Sequence, residues 1–161
     1  MTDSAQDPTQ AGAPGVSADI APAAPLAIGA TCEVAYRVAA VDSPRMLRLE
    51  DADEFPDVLS TAKMVGLMEL AAARLMRPLL TGDELSVGLR VEVDHLAATP
   101  LFANVRACAT YLGPEGKLHA FEVELRDDGG IAGKGRHLRA VVVPARLVEK
   151  ARKRIAGQAP R

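Results

Sequence analysis

Two cysteines, Cys32 and Cys108, are all that the 161-residue chain contains. They lie far apart without CxxC spacing, which argues against a disulfide framework and against a structural zinc site. The three histidines, His95, His119 and His137, are not clustered at metal-ligand spacing either, so no metal is expected. No basic residue precedes Arg37, and the N-terminus therefore lacks the positive segment of a secretory or transit signal. No uninterrupted apolar run approaches the roughly 18 residues that span a membrane. Positive charge is not in excess: 19 basic against 21 acidic residues give a net charge of −2, which is a poor footprint for nucleic acid. A GxSxG elbow, a Walker loop and a GxGxxG after a strand are all missing, so α/β-hydrolase, P-loop and Rossmann readings fail. What remains is a composition ordinary for a globular protein, 48% hydrophobic and 25% charged, at the length of one domain. The expectation is a cytoplasmic, reducing-compartment protein without a membrane or nucleic-acid partner.

Residues 1–28 are rich in Ala, Pro, Ser, Gly and Gln, with prolines at 8, 14, 22 and 25. Such a segment buries too little apolar area to offset its ordering entropy, which predicts a disordered tail before a domain at 29–157. From Gly29, Cys32, Val34, Tyr36 and Val38 alternate with polar positions as in a half-buried strand. Thr61–Leu80 predicts the one long helix, with Met64, Met68, Ala72, Leu75 and Leu79 on one face, Ser60 or Thr61 as N-cap, and Pro78 marking an early end. Four alternating strands follow at 85–96, 102–112, 117–126 and 131–143, the last three joined by hairpin signals at Gly113–Gly116 and Asp127–Gly130. A short basic helix is expected at 148–156. The order is strand, long helix, then a four-stranded meander. A long helix with one apolar face must bury it, and the antiparallel sheet is the surface available. This is an α+β chain, and the order suits a single hotdog domain whose sheet wraps a central helix.

Some polar residues fall where the pattern calls for apolar ones. Glu69 lies on the border of the helix's apolar face beside Val65, Ala72 and Met76, and no cation at i±3 or i±4 can pair with it. It is either a boundary carboxylate in water or a partly desolvated one able to act as a base. His95 continues the parity of Val87, Leu89, Val91 and Val93 and points toward the helix, as a core histidine or a catalytic one. Gly88, on the other parity, either admits a ligand close to the backbone or marks a bulge. Arg139 shares a parity with His137, Gly133 and Gly135; it either finds an acceptor in the apolar layer or reaches out to solvent. His119 has no supporting neighbours, and the cluster Lys150–Arg154 reads as a solvated helix face.

Phe55-Pro56-Asp57-Val58, followed by Thr61-Ala62-Lys63-Met64-Val65-Gly66-Leu67-Met68-Glu69, closely resembles the catalytic helix of the fluoroacetyl-CoA thioesterase family of hotdog proteins. The pattern continues through Gly88, His95-Leu96-Ala97-Ala98-Thr99-Pro100 and His137-Leu138-Arg139-Ala140, so the resemblance covers the chain from about Gly29 to Val143. It implies hydrolysis of an acyl-CoA thioester by a Thr/Glu/His set, here Thr61, Glu69 and His95. It also implies that Gly88 and Arg139 meet the acyl end of the substrate and that Phe55 helps to close the acyl pocket. Coenzyme A enters as part of the substrate and no cofactor is implied. Two positions depart from the pattern: Ala52 replaces the second pocket phenylalanine, and Lys63 stands where the specialised enzyme has an aromatic residue. The chemistry is thus expected without strong selectivity for the fluorinated acyl group.

A thioester carbonyl lacks amide resonance, so a modest base and a polarising donor suffice; Glu69 either attacks directly or activates water, with His95 moving the proton. A hotdog hydratase would use an Asp/His pair, but Asp94 and His95 are adjacent and face opposite sides of a strand. A non-catalytic acyl-CoA-binding module would keep the pocket and lose the acid/base set. Unpaired sheet edges predict a homodimer, with the strand ending at His95 at the interface.

Overall fold

Both periodicities find their elements in the computed structural model, which describes residues 26–157. The strands are β1 (Thr31–Arg37), β2 (Leu85–His95), β3 (Asn104–Glu115), β4 (Leu118–Asp127) and β5 (Gly130–Val142). The helices are α1 (Thr61–Met76) and α2 (Pro144–Ala156). The tail expected at 1–28 lies outside the described residues up to position 25; of its last three residues, Leu26 packs against the core and Ile28 is exposed.

α1 starts where Ser60 Oγ accepts from the Lys63 N–H, satisfying one of the donors that a helix start leaves open. It ends at Met76 in a 3-10 turn, Arg77–Leu79, because Pro78 has no N–H to continue the ladder. α2 begins four residues earlier than the sequence pattern indicated, since Pro144 occupies the first turn, where a missing N–H costs nothing. The segment 40–47 forms two short 3-10 turns.

All five strands form one antiparallel sheet in the order β1-β3-β4-β5-β2. The expected meander of the last four strands is therefore corrected: β2 does not pair with β3 but with the free edge of β5. The connection 96–103 is a crossover rather than a hairpin. It is tied to the start of α1 by the Val58–Pro100 bridge and by the Leu59 N–H donating to the Thr99 carbonyl.

Met64, Leu67, Met68, Ala71, Ala72, Leu75 and Met76 of α1 are buried against Val34, Val105, Ala107, Ala109, Tyr111, Phe121, Val123 and Leu125 of the sheet. Each large side chain buried this way contributes about 1.5–3 kcal/mol. Gly133 lets the helix lie close to β5, since a Cβ there would meet Met64 Sδ and Met68 Cε. Farther along the same face of β5 come His137 and Arg139, under the second half of α1.

One parity in the sequence is misleading. The β2–β5 register shifts between Gly88 and Arg90, so Leu89 is an extra residue in β2. Ser86 and Gly88 face the helix before this bulge, and Val91, Val93 and His95 face it afterwards. Val87 lies opposite Ala140 on the outer face and Leu89 is 62% exposed. The uninterrupted inner run Val87-Leu89-Val91-Val93 is therefore corrected, and Gly88 joins His95 on the helix side.

Candidate active site

Two clusters of the expected residues form along α1. At its N-terminus, Thr61 Oγ1 is 2.8 Å from His95 Nδ1. The crossover brings them together: the Leu96 and Ala97 N–H groups donate to the Ala132 carbonyl, and Thr99 Oγ1 donates to Asp127 Oδ2 at 2.7 Å. With Nδ1 engaged by Thr61, Nε2 is the remaining ring nitrogen, and it is buried with no hydrogen-bond partner among the described residues.

The second cluster surrounds Glu69, whose side chain is 38% exposed. Its Oε1 lies 3.5 Å from His137 Nε2 and 3.8 Å from Arg139 Nη1, beyond hydrogen-bonding distance of both. The glycine at 88 makes room for it: a Cβ there would overlap Glu69 Oε1 and come within 2.9 Å of His137 Cε1.

Arg139 does not reach out to solvent; it is only 5% exposed. Its Nε donates to Ser86 Oγ, its Nη2 to the Ser86 carbonyl and its Nη1 to the Glu69 carbonyl. Nη1 also lies 2.9 Å from His137 Nε2. Burial pushes the His137 pKa below its ordinary 6.5, and the Arg139 charge pushes it the same way. Nothing in the sequence marks Ser86 as the arginine's acceptor, whereas the shared parity of His137 and Arg139 does point to their pairing.

Eight residues separate Thr61 from Glu69, a rise of about 12 Å along one helix. Within one chain the Thr61–His95 pair and the Glu69 carboxylate are therefore separate clusters. Phe55 is 36% exposed on the segment before α1, where its carbonyl accepts from Arg45 Nε. Lys63 pairs with the buried Asp42 at 3.0 Å. His119 faces the helix side and pairs with the Tyr111 hydroxyl at 2.9 Å. Among the described residues no three His, Cys, Asp or Glu side chains are grouped as metal ligands, and no helix is long and apolar enough to cross a membrane.

The family described as fluoroacetyl-CoA-specific thioesterase matches residues 43–145. A curated fluoroacetyl-CoA thioesterase from Streptantibioticus cattleyicolor is 42% identical over 89 residues, which are 55% of this chain and 64% of that protein. The match thus spans just under two thirds of the relative's length. A crystal structure of a point variant of the fluoroacetyl-CoA-specific thioesterase FlK superposes with a TM-score of 0.75 at 32% identity, covering 80% of this chain and 96% of the other. A thioesterase superfamily member from Thermus thermophilus gives 0.72 at 27% identity over 83% and 96%. The arrangement of sheet and helix is that of the hotdog thioesterases.

Proposed function

The chain belongs to the fluoroacetyl-CoA-specific thioesterase family, and from that premise we propose that it hydrolyses small acyl-CoA thioesters with Thr61, Glu69 and His95. One observation carries the reading: a half-buried carboxylate held over a glycine backbone with no hydrogen bond to the arginine and histidine beside it. A surface carboxylate would be solvated and a structural one would be paired. Glu69 instead keeps its oxygens available for a reacting group.

In the reaction, water adds to the thioester carbonyl carbon as Glu69 takes its proton. Collapse of the tetrahedral species breaks the C–S bond, and the leaving thiolate takes up a proton, leaving a carboxylic acid and free coenzyme A. Direct attack by Glu69 would pass through an acyl anhydride, and water would then regenerate the carboxylate. In a single turnover in ¹⁸O-water, label in Glu69 marks direct attack followed by water opening the anhydride at the Glu69 carbon, whereas water activation labels only the product acid. Thr61 orients His95, whose free Nε2 serves the proton at the sulfur. Gly88 and Arg139 flank the acyl end, Phe55 covers it, and no metal or redox cofactor is required.

A homodimer unites the two half-sites, with Glu69 of one protomer meeting Thr61 and His95 of the other. The long edge strand β2, with Leu85, Leu89 and Val91 exposed, supports that pairing. The unpaired cysteines Cys32 and Cys108 suit a reducing cytoplasm.

Free-thiol release across short, aryl and long acyl-CoA substrates tests the reading. Turnover of short acyl-CoA, falling about 10²–10⁴-fold in Glu69→Gln with an unchanged melting temperature, is the expected result. No release from any substrate would leave an acyl-CoA-binding module in its place.

A further inference from the structure

A guanidinium this close to a partly buried carboxylate would ordinarily close onto it in a bidentate pair at about 2.7–2.9 Å. Arg139 does not, and its Nη1 stays 3.8 Å from Glu69 Oε1. His137 competes for the same Nη1 hydrogen from the third corner of a triangle, with Nε2 2.9 Å from Arg139 Nη1 and 3.5 Å from Glu69 Oε1. A guanidinium only donates, so Nε2 must accept. The other ring nitrogen, Nδ1, is 2.9 Å from the Arg90 carbonyl, which only accepts, so Nδ1 must carry the proton. Both contacts select the same neutral tautomer, in a ring only 1% exposed. The carbonyl that Nδ1–H clamps belongs to the residue directly after the extra Leu89 of β2. A single imidazole therefore contacts both the arginine beside Glu69 and the bulge that turns Gly88 toward it.

We propose that His137 is a positioning residue for the Glu69 site, holding Arg139 off the carboxylate through Nε2 and fixing the β2 bulge through Nδ1–H. The inference rests on the thioesterase reading of that site. Without the Nε2 acceptor, Arg139 Nη1 turns to Glu69 Oε1, crosses the remaining gap of about 1 Å to a hydrogen bond, and occupies the lone pair that the reaction needs. The lone pair blocked in this way is needed only for the chemical step, so the loss falls on kcat.

Two substitutions separate the ring's functions. His137→Asn keeps a donor near Nδ1 but does not reach Arg139, whereas His137→Gln places an acceptor oxygen near Nε2. His137→Asn is expected to lower kcat about 10²-fold with KM within about 3-fold, and His137→Gln to recover most of the loss. In an Arg139→Met background His137→Asn should add almost nothing, because the group it releases is gone. A merely structural histidine would instead give losses that add in both backgrounds and follow the melting temperature. Nitrogen-15 spectra of the wild type supply a readout besides turnover, with His137 expected as the neutral Nδ1–H tautomer at pH 7. Wild-type kcat in His137→Asn, or an Nε2–H or doubly protonated ring, would overturn the proposal. A wild type that releases no thiol from any acyl-CoA would refute the thioesterase reading instead, and the spectra would still report on the ring.

Discussion

At the scale of single residues, Gly88 and Glu69 define each other. Gly88 has an ordinary backbone conformation for any residue, so its absent side chain serves space rather than φ. Gly88→Ala is expected to cost some stability, since its Cβ meets not only the end of the flexible Glu69 carboxylate but also, at 2.9 Å, the buried His137 ring. The displaced carboxylate costs more, and kcat/KM should fall about 10²-fold for a shift near 1 Å. Thermal melting and thiol release on the same sample check this, and equal activity would show that the position of Glu69 is not critical. Helical periodicity alone placed Glu69 on the border of the apolar face. Gly88 was readable as the mark of a bulge, which the register shift beside it bears out, but its facing was not legible, because the alternating apolar pattern does not show where the extra residue falls.

At the scale of elements, the start of α1 is a junction of three segments. Asp42 accepts from the Ala39 N–H at 2.7 Å and the Tyr36 hydroxyl at 2.8 Å, and pairs with Lys63 at 3.0 Å. Burial pushes the Asp42 pKa up, but the hydrogen bonds from Ala39, Lys63 and Tyr36 outweigh it and hold the group below its ordinary 3.8. A depressed carboxylate contributes stability that is complete above the unfolded value and is lost as pH falls through the folded one. Melting temperature should therefore decline on acidification below pH 3.8. Asp42→Asn should lower stability at pH 7 by about 1–3 kcal/mol and flatten that acid decline. A variant with the same acid profile as the wild type would remove Asp42 from the account. The sequence made Ser60 readable as a cap and Pro78 as a stop. The crossover that delivers His95 to Thr61 was not readable, since it depends on Thr99 meeting Asp127 28 residues away.

At the scale of the whole molecule, the sheet leaves β1 and β2 at its edges, and α2 has no buried residue at all. The sequence resemblance implies departures from the fluorinated-substrate specialist at Ala52 and Lys63, and the Lys63 ammonium is committed to Asp42. Fluoroacetyl-CoA is therefore expected to show at most a modest preference in kcat/KM over acetyl-CoA. Selectivity of several orders of magnitude would place discrimination in Gly88 and Arg139 instead.

In the proposed dimer the separate clusters form one reaction centre, and mixed dimers test this most directly. Glu69→Gln and His95→Asn subunits, co-expressed with different tags and purified through both, form dimers in which a shared arrangement leaves one site whole and one doubly disabled. The account predicts that each parent homodimer is nearly inactive and that the mixed dimer recovers roughly half of wild-type thiol release, as one intact site of two requires. Mixed dimers as inactive as their parents, or tagged subunits that never co-purify, would contradict a site completed between protomers.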